Sequence, residues 1–166
     1  MLLSKGYISS YLVLSGPAKR NHSKVKAGMQ SPATVLVSGV EDFKPTLSKL
    51  LTLPAPHFVV FSSDIDDHSG LPWCPDCVRT VPSIQAGVTA VGGSLLEVRV
   101  GPKAAWKSPD HPFRLDADLK LKGIPTLFHW NEDGRKGEMA GPELEASSNA
   151  EEAENVVYDF IAKVHK

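Results

Sequence analysis

Apolar positions along this chain gather into short runs divided by polar and turn-forming stretches, and their spacing alternates between strand and helix periods. Residues 35–37 (VLV) are a brief strand candidate, and 57–61 (HFVVF) is an unbroken apolar run of strand length, the pattern of a strand covered on both faces. Residues 41–52 place Phe43, Leu47, Leu50 and Leu51 on one helical stripe. After a polar, acidic loop over 62–71, a helix should open in the stretch 73–77 and run toward Val91, followed by a strand over 95–100. A loop over 101–112, a short helix over 115–122 and a strand over 126–130 come next. Asn131-Glu-Asp-Gly134 is a turn signal, so a second strand near 136–140 should fold back on 126–130 as a hairpin. Val156, Val157, Phe160, Ile161 and Val164 stripe a closing helix over 151–164. Short strands alternating with helices predict an α/β domain, and no internal repeat interrupts the series.

The first 33 residues lack this order. They are rich in Ser, Lys and Gly without periodicity, and are expected to form a disordered or targeting extension ahead of a single domain over 34–166. A mitochondrial presequence would be Ser-rich and acid-free, as they are, but would favour Arg, and they hold only Arg20. The plainest alternative is an extension without function ahead of Met29. The apolar run over 7–14 contains Ser9 and Ser10 and is far shorter than the ~20 residues a bilayer requires, so no membrane span is expected. A length of 166 residues with 42% hydrophobic and 22% charged residues suits one soluble domain with a core. Charge is uneven: residues 1–40 carry five basic and no acidic groups, leaving 13 basic against 19 acidic, a net of −6, for the rest. A mildly acidic body argues against a nucleic-acid-binding face.

The only two cysteines are Cys74 and Cys77, within Trp73-Cys-Pro-Asp-Cys77. A disulfide closing so small a loop would stabilise the fold by roughly 2 kcal/mol at most, against ~4.7 for a 100-residue loop, so chemistry explains the pair better than stapling. Pro75 suits the first position of a helix, which puts Cys74 at the helix start and Cys77 in its first turn. Unpaired amides and the helix dipole favour an anion there, and such sites lower a cysteine from ~8.5 to between ~3.5 and ~7.5. Cys77 would then resolve what Cys74 attacks. Asp76 opposes the shift, since a carboxylate beside a thiolate disfavours it; it either tunes Cys74 and selects substrates or merely complements the helix dipole. Trp73 reads equally as a core aromatic or as a flat wall facing the substrate. Zinc would need two further ligands, and the six histidines include no pair three to five residues apart, so no metal is expected.

Three features together resemble the thioredoxin superfamily: CxxC at a helix start, Pro82 within that helix, and Ile124-Pro125-Thr126 opening a later strand. Trp-Cys-Pro-Asp-Cys looks like the Clot-type, thioredoxin domain-containing protein 17-like family. So does the stretch 101–114 (GPKAAWKSPDHPFR), with its Trp, basic residue, Pro, then aromatic followed by Arg. The resemblance covers about residues 34–165 and implies a thioredoxin-like fold, a central mixed sheet flanked by helices. It further implies Cys74 as attacking thiolate, Cys77 as resolving thiol, Pro125 as a cis-proline facing them, and the Ile124 backbone as a place where a substrate chain pairs as an added strand. Trp106, Lys107, Phe113 and Arg114 would belong to a substrate-binding loop near the site, or else Trp106 and Phe113 pack that loop down while Lys107 and Arg114 are solvated.

Ala105 departs from the family, where many relatives carry an aromatic. The basic extension is a second departure; separately, ordinary thioredoxins hold a buried carboxylate beneath the pair where the strand here reads Phe58-Val-Val-Phe61, so the Cys77 proton must go to water, Asp76 or another group. The activity implied is protein-disulfide reduction, on selected small or protein disulfides and on oxidised or nitrosylated protein thiols. Thioredoxin reductase would recycle the dithiol with electrons from NADPH, with no cofactor bound to the chain itself. The expected protein is a cytoplasmic monomer without nucleic-acid or membrane partners, or a mitochondrial one if residues 1–28 are a presequence. A binding module that kept the fold, and a structural zinc site, are the alternatives.

Overall fold

The computed structural model describes residues 35–140, Glu143 and 150–164, and the extension expected over 1–33 lies outside them. Five strands form one mixed sheet in the order β1-β3-β2-β4-β5. They are β1 (Val35–Ser38), β2 (His57–Ser62), β3 (Ser94–Arg99), β4 (Thr126–Asn131) and β5 (Gly134–Met139). β1, β3 and β2 run parallel, whereas β4 is antiparallel to β2 and β5 to β4. The helices are α1 (Phe43–Leu50), α2 (Pro75–Ala90), α3 (Lys103–Lys107), α4 (Pro112–Leu115) and α5 (Ala150–Val164). Among the described residues no helix is long and apolar enough to cross a membrane.

Helices cover both faces of the sheet. Phe43 of α1 packs on Phe61, while Phe160 and Val164 of α5 lie against Gly137 on the opposite face, where α2 joins α5. Flanked by strands and covered above and below, β2 is buried along its whole length, which is why HFVVF carries no polar alternation. Fully burying side chains such as Phe58, Phe61, Phe128 and Leu96 contributes about 1.5–3 kcal/mol each. The polar edge strand β5 exposes Arg135 and Lys136, charges that discourage pairing with another sheet.

α2 ends where Gly92 turns left-handed at φ +67°, with the Gly93 amide reaching back to the Val88 carbonyl at 3.0 Å. The next residue must also be small: a Cβ on Gly93 would stand 2.6 Å from the Pro56 carbonyl oxygen.

Two expected elements differ. The loop over 101–112 contains α3 and leads into α4, and no helix spans 115–122. His111 caps α4 by accepting from the Phe113 amide through Nδ1 at 3.2 Å, and its other nitrogen, Nε2, then donates to the Val100 carbonyl at 2.9 Å. Past Leu115 the Asp116 carboxylate takes the amides of Asp118 and Leu119 at 2.9 and 3.0 Å, and Lys120 adopts φ 46°. A side chain that captures those amides turns the chain instead of extending a helix. The β4–β5 hairpin turns at Glu132 and Asp133, so β5 starts two residues earlier than expected.

Candidate functional site

Cys74 is the N-cap of α2, with extended backbone angles (φ −99°, ψ 114°), and Pro75 opens the helix. Cys77, one turn in, has no exposed surface, and both cysteines are free thiols. The Cys74 thiol is lowered to about 6, chiefly because the Cys77 thiol donates to it and then because the Cys77 and Asp76 amides point at it; burial and the Asp76 charge oppose the shift. The neighbouring thiol therefore outweighs the helix amides that the sequence alone suggested. Cys77 is pushed far up by donating to Cys74, by burial and by the Cys74 charge. The pair is thus divided into one acidic, reaction-ready sulfur and one proton-holding sulfur, as nucleophilic exchange demands.

The surroundings come from distant parts of the chain. The Ile124–Pro125 peptide is cis, and the Ile124 carbonyl lies 3.8 Å from Cys74 Sγ. Half-buried Trp73 donates its indole N–H to the Gly101 carbonyl at 3.0 Å, and Asp76 pairs with Arg79 on the helix. Trp73, Cys74, Pro75, Asp76, Cys77, Ile124 and Pro125 therefore gather at one place.

The 101–114 loop is fastened beside them at both ends, through Trp73 at Gly101 and through Arg114, whose Nη1 donates to the Lys122 carbonyl at 3.2 Å. Trp106 and Phe113 are only 6% and 4% exposed. Phe113 packs on Phe43 and Phe61, and Trp106 lies under the Arg114 guanidinium, 4.2 Å from its ring centre. Their burial fits the alternative in which they pack the loop down; of the four residues singled out there, Lys107 is exposed and Arg114 is half-buried.

Two features, Ser63 and Glu97, had no signal in the sequence, whereas the acidic loop over 62–71 was legible and lines a groove. Ser63, just past β2, is fully buried, and its Oγ accepts from the Cys74 amide at 3.1 Å. Glu97 of β3 is a buried carboxylate beside Val60 in register; it accepts from the Ser62 hydroxyl at 2.9 Å and stands 3.6 Å from Arg99 Nε. An open groove of about 750 Å³ starts at Trp73 and Pro75 and is lined by Asp64, Asp66 and Asp67 together with exposed Leu71 and Val78. Asp66 is held below the usual carboxylate range, first by the Ser69 amide, and stays charged. Among the described residues no three His, Cys, Asp or Glu side chains cluster as metal ligands.

The thioredoxin domain of the thioredoxin domain-containing protein 17-like family matches residues 36–153. The chain belongs to this family. Its sheet and helices form a thioredoxin-like fold. The thioredoxin-like protein Clot of Arabidopsis thaliana is 38% identical over 85 residues, 50% of this chain and 63% of that protein, so the chain spans under two thirds of this relative. Thioredoxin domain-containing protein 17 is 35% identical in Danio rerio and 33% in Homo sapiens, each over 98 residues, 58% of this chain and 76% of the relative. Within the family's matched span lie Cys74, Cys77 and the cis-proline segment.

Proposed function

We propose that this protein is a thiol–disulfide oxidoreductase that reduces selected disulfides through Cys74 and Cys77. The observation that carries the reading is the unequal placing of two free thiols: Cys74 on the N-cap residue of α2, with the carbonyl before the cis-proline 3.8 Å from its sulfur, and Cys77 fully buried one turn in. Cys74 thiolate attacks a substrate disulfide, one substrate sulfur leaves, and a mixed disulfide forms. Cys77 then attacks Cys74 Sγ, releasing the second sulfur as a thiol and leaving the Cys74–Cys77 disulfide. Thioredoxin reductase, drawing on NADPH, returns that disulfide to the dithiol. The reducing cytoplasm is the compartment in which such a cycle runs.

Substrate choice follows from the walls of the site. The carboxylates lining the groove, which outnumber its one lysine, disfavour anionic disulfides, and the Ile124 backbone offers a peptide substrate an edge to pair with. Small disulfides such as cystine, protein disulfides with uncharged or basic flanks, and oxidised or nitrosylated protein thiols fit this description. The test follows NADPH loss with thioredoxin reductase and cystine or insulin. Wild-type protein is expected to sustain turnover and Cys74→Ser to abolish it, whereas equal rates would leave a binding module in place of an enzyme.

A further inference from the structure

The Ile124 backbone is presented by a stretch that discrete bonds, not regular structure, hold in place. Residues 121–125 belong to no helix or strand. Past them β4 fixes Thr126, through its pairing with Phe61 and through its hydroxyl, which donates to the Gly123 carbonyl at 2.9 Å. Packing adds no restraint at Gly123, where a Cβ would meet no atom within 4 Å. Ahead of Gly123 two bonds tie the stretch down: the Leu121 amide donates to the Phe113 carbonyl at 3.0 Å, and Arg114 Nη1 donates to the Lys122 carbonyl at 3.2 Å. Arg114 is itself firmly seated. Its Nε donates to the Trp106 carbonyl at 3.1 Å, and its guanidinium lies 4.2 Å from the centre of the Trp106 ring. That ring is buried and meets His111 edge-on at 5.0 Å, and His111 is bonded in turn to Val100 and Phe113. A planar guanidinium, with donors in fixed directions, bridges two carbonyls from separate parts of the chain, which the point charge of an ammonium on a flexible stem does less well.

We infer that Arg114 is a positioning residue for substrate: its guanidinium, seated on Trp106, holds the Lys122 carbonyl and so sets where the Ile124 backbone meets a substrate strand beside Cys74. The inference rests on the dithiol reading and the strand pairing proposed above. It acts on association and not on the sulfur chemistry, so it should separate disulfides that pair along a backbone from those that have none.

Two uncharged disulfides make that separation measurable: dithiodipyridine, which has no peptide backbone, and the symmetric disulfide of a short blocked peptide without charged side chains. Single-turnover exchange is followed with the full-length reduced protein over a range of concentrations of each. Arg114→Gln is expected to raise the half-saturating concentration of the peptide disulfide about tenfold, the scale of one hydrogen bond from a charged donor, with its limiting rate and the dithiodipyridine rate constant each within about twofold of the wild type. Arg114→Lys, which keeps the charge without the fork, should show the same split. Adding Gly123→Ala to Arg114→Gln should recover about threefold, because a methyl group fits there and removes backbone freedom that the lost bond no longer restrains. Equal loss with both disulfides, in whichever of the Gln and Lys variants folds, would leave Arg114 as support for the fold alone and overturn the inference. A Lys variant indistinguishable from the wild type would assign the effect to charge and overturn it too. Peptide exchange untouched by either substitution would sink this assignment alone, whereas a wild type inert toward dithiodipyridine would sink the dithiol reading with it.

Discussion

Reactivity at Cys74 is set by its nearest neighbours more than by the helix as a whole. The Cys77 thiol is the largest influence lowering its pKa, and the Asp76 charge is among those raising it. Alkylation of Cys74 by iodoacetamide should therefore climb through a midpoint near pH 6 and level off by about pH 7, where free cysteine, with its pKa near ~8.5, is still mostly protonated. Asp76→Asn should move that midpoint down and Cys77→Ala should move it up, both read by intact mass after timed alkylation. A midpoint of the wild type at the free-cysteine value would remove the basis for a nucleophile here. At this scale the five-residue redox motif is legible in sequence because spacing and a helix-start proline specify its local geometry. Ser63 and Glu97 are not, since a serine after a strand carries no pattern and a buried acid is recognised only once its register partner and its ion pair are in place.

Elements were legible in proportion to their length and periodicity. The runs 57–61 and 126–130 read as strands and the stripe at the chain's end read as a helix, since burial on two faces or along one stripe writes itself into consecutive residues. The four- and five-residue helices α4 and α3 are shorter than any periodic signal, and they exist through contacts made elsewhere, such as the His111 cap that also reaches Val100. Residues 115–122 carried a helical pattern, yet the Asp116 side chain took the amides a helix would have needed. The exit of α2 is equally local: Gly93→Ala places a methyl group against the Pro56 carbonyl, which itself accepts from the Ser94 amide at 2.8 Å. That variant should lose about 1–3 kcal/mol, measured by denaturant unfolding, and a loss within about 0.3 kcal/mol would show that the α2–β3 turn relaxes freely.

For the molecule as a whole, charge and architecture act together on encounter. The body of the chain is net acidic, and three carboxylates against one lysine, Lys103, line the groove that starts at Trp73 and Pro75, the neighbours of Cys74. At low ionic strength the first exchange step should run several-fold faster with the cationic disulfide cystamine than with the dianion dithiodiglycolate, and the ratio should shrink toward that of their intrinsic reactivities as salt is raised to about 0.5 M. A ratio that ignores salt would assign the preference to shape. The sheet order, by contrast, is invisible to charge and composition: the family resemblance implied a central mixed sheet without an order, and the apolar run 35–37 became the edge strand β1, with Val35 and Val37 exposed.

The loop over 101–114 gains meaning at this scale. One end holds the indole beside the nucleophile and the other holds the backbone two residues ahead of Ile124, so it works as a crossbeam between the two posts of the cleft. The spacing between Trp73 and the backbone ahead of Ile124, where we propose that a substrate strand pairs, is therefore governed by a segment away from both sulfurs. Lengthening or shortening that beam would retune which chains slide in while leaving the chemistry of the cysteines untouched.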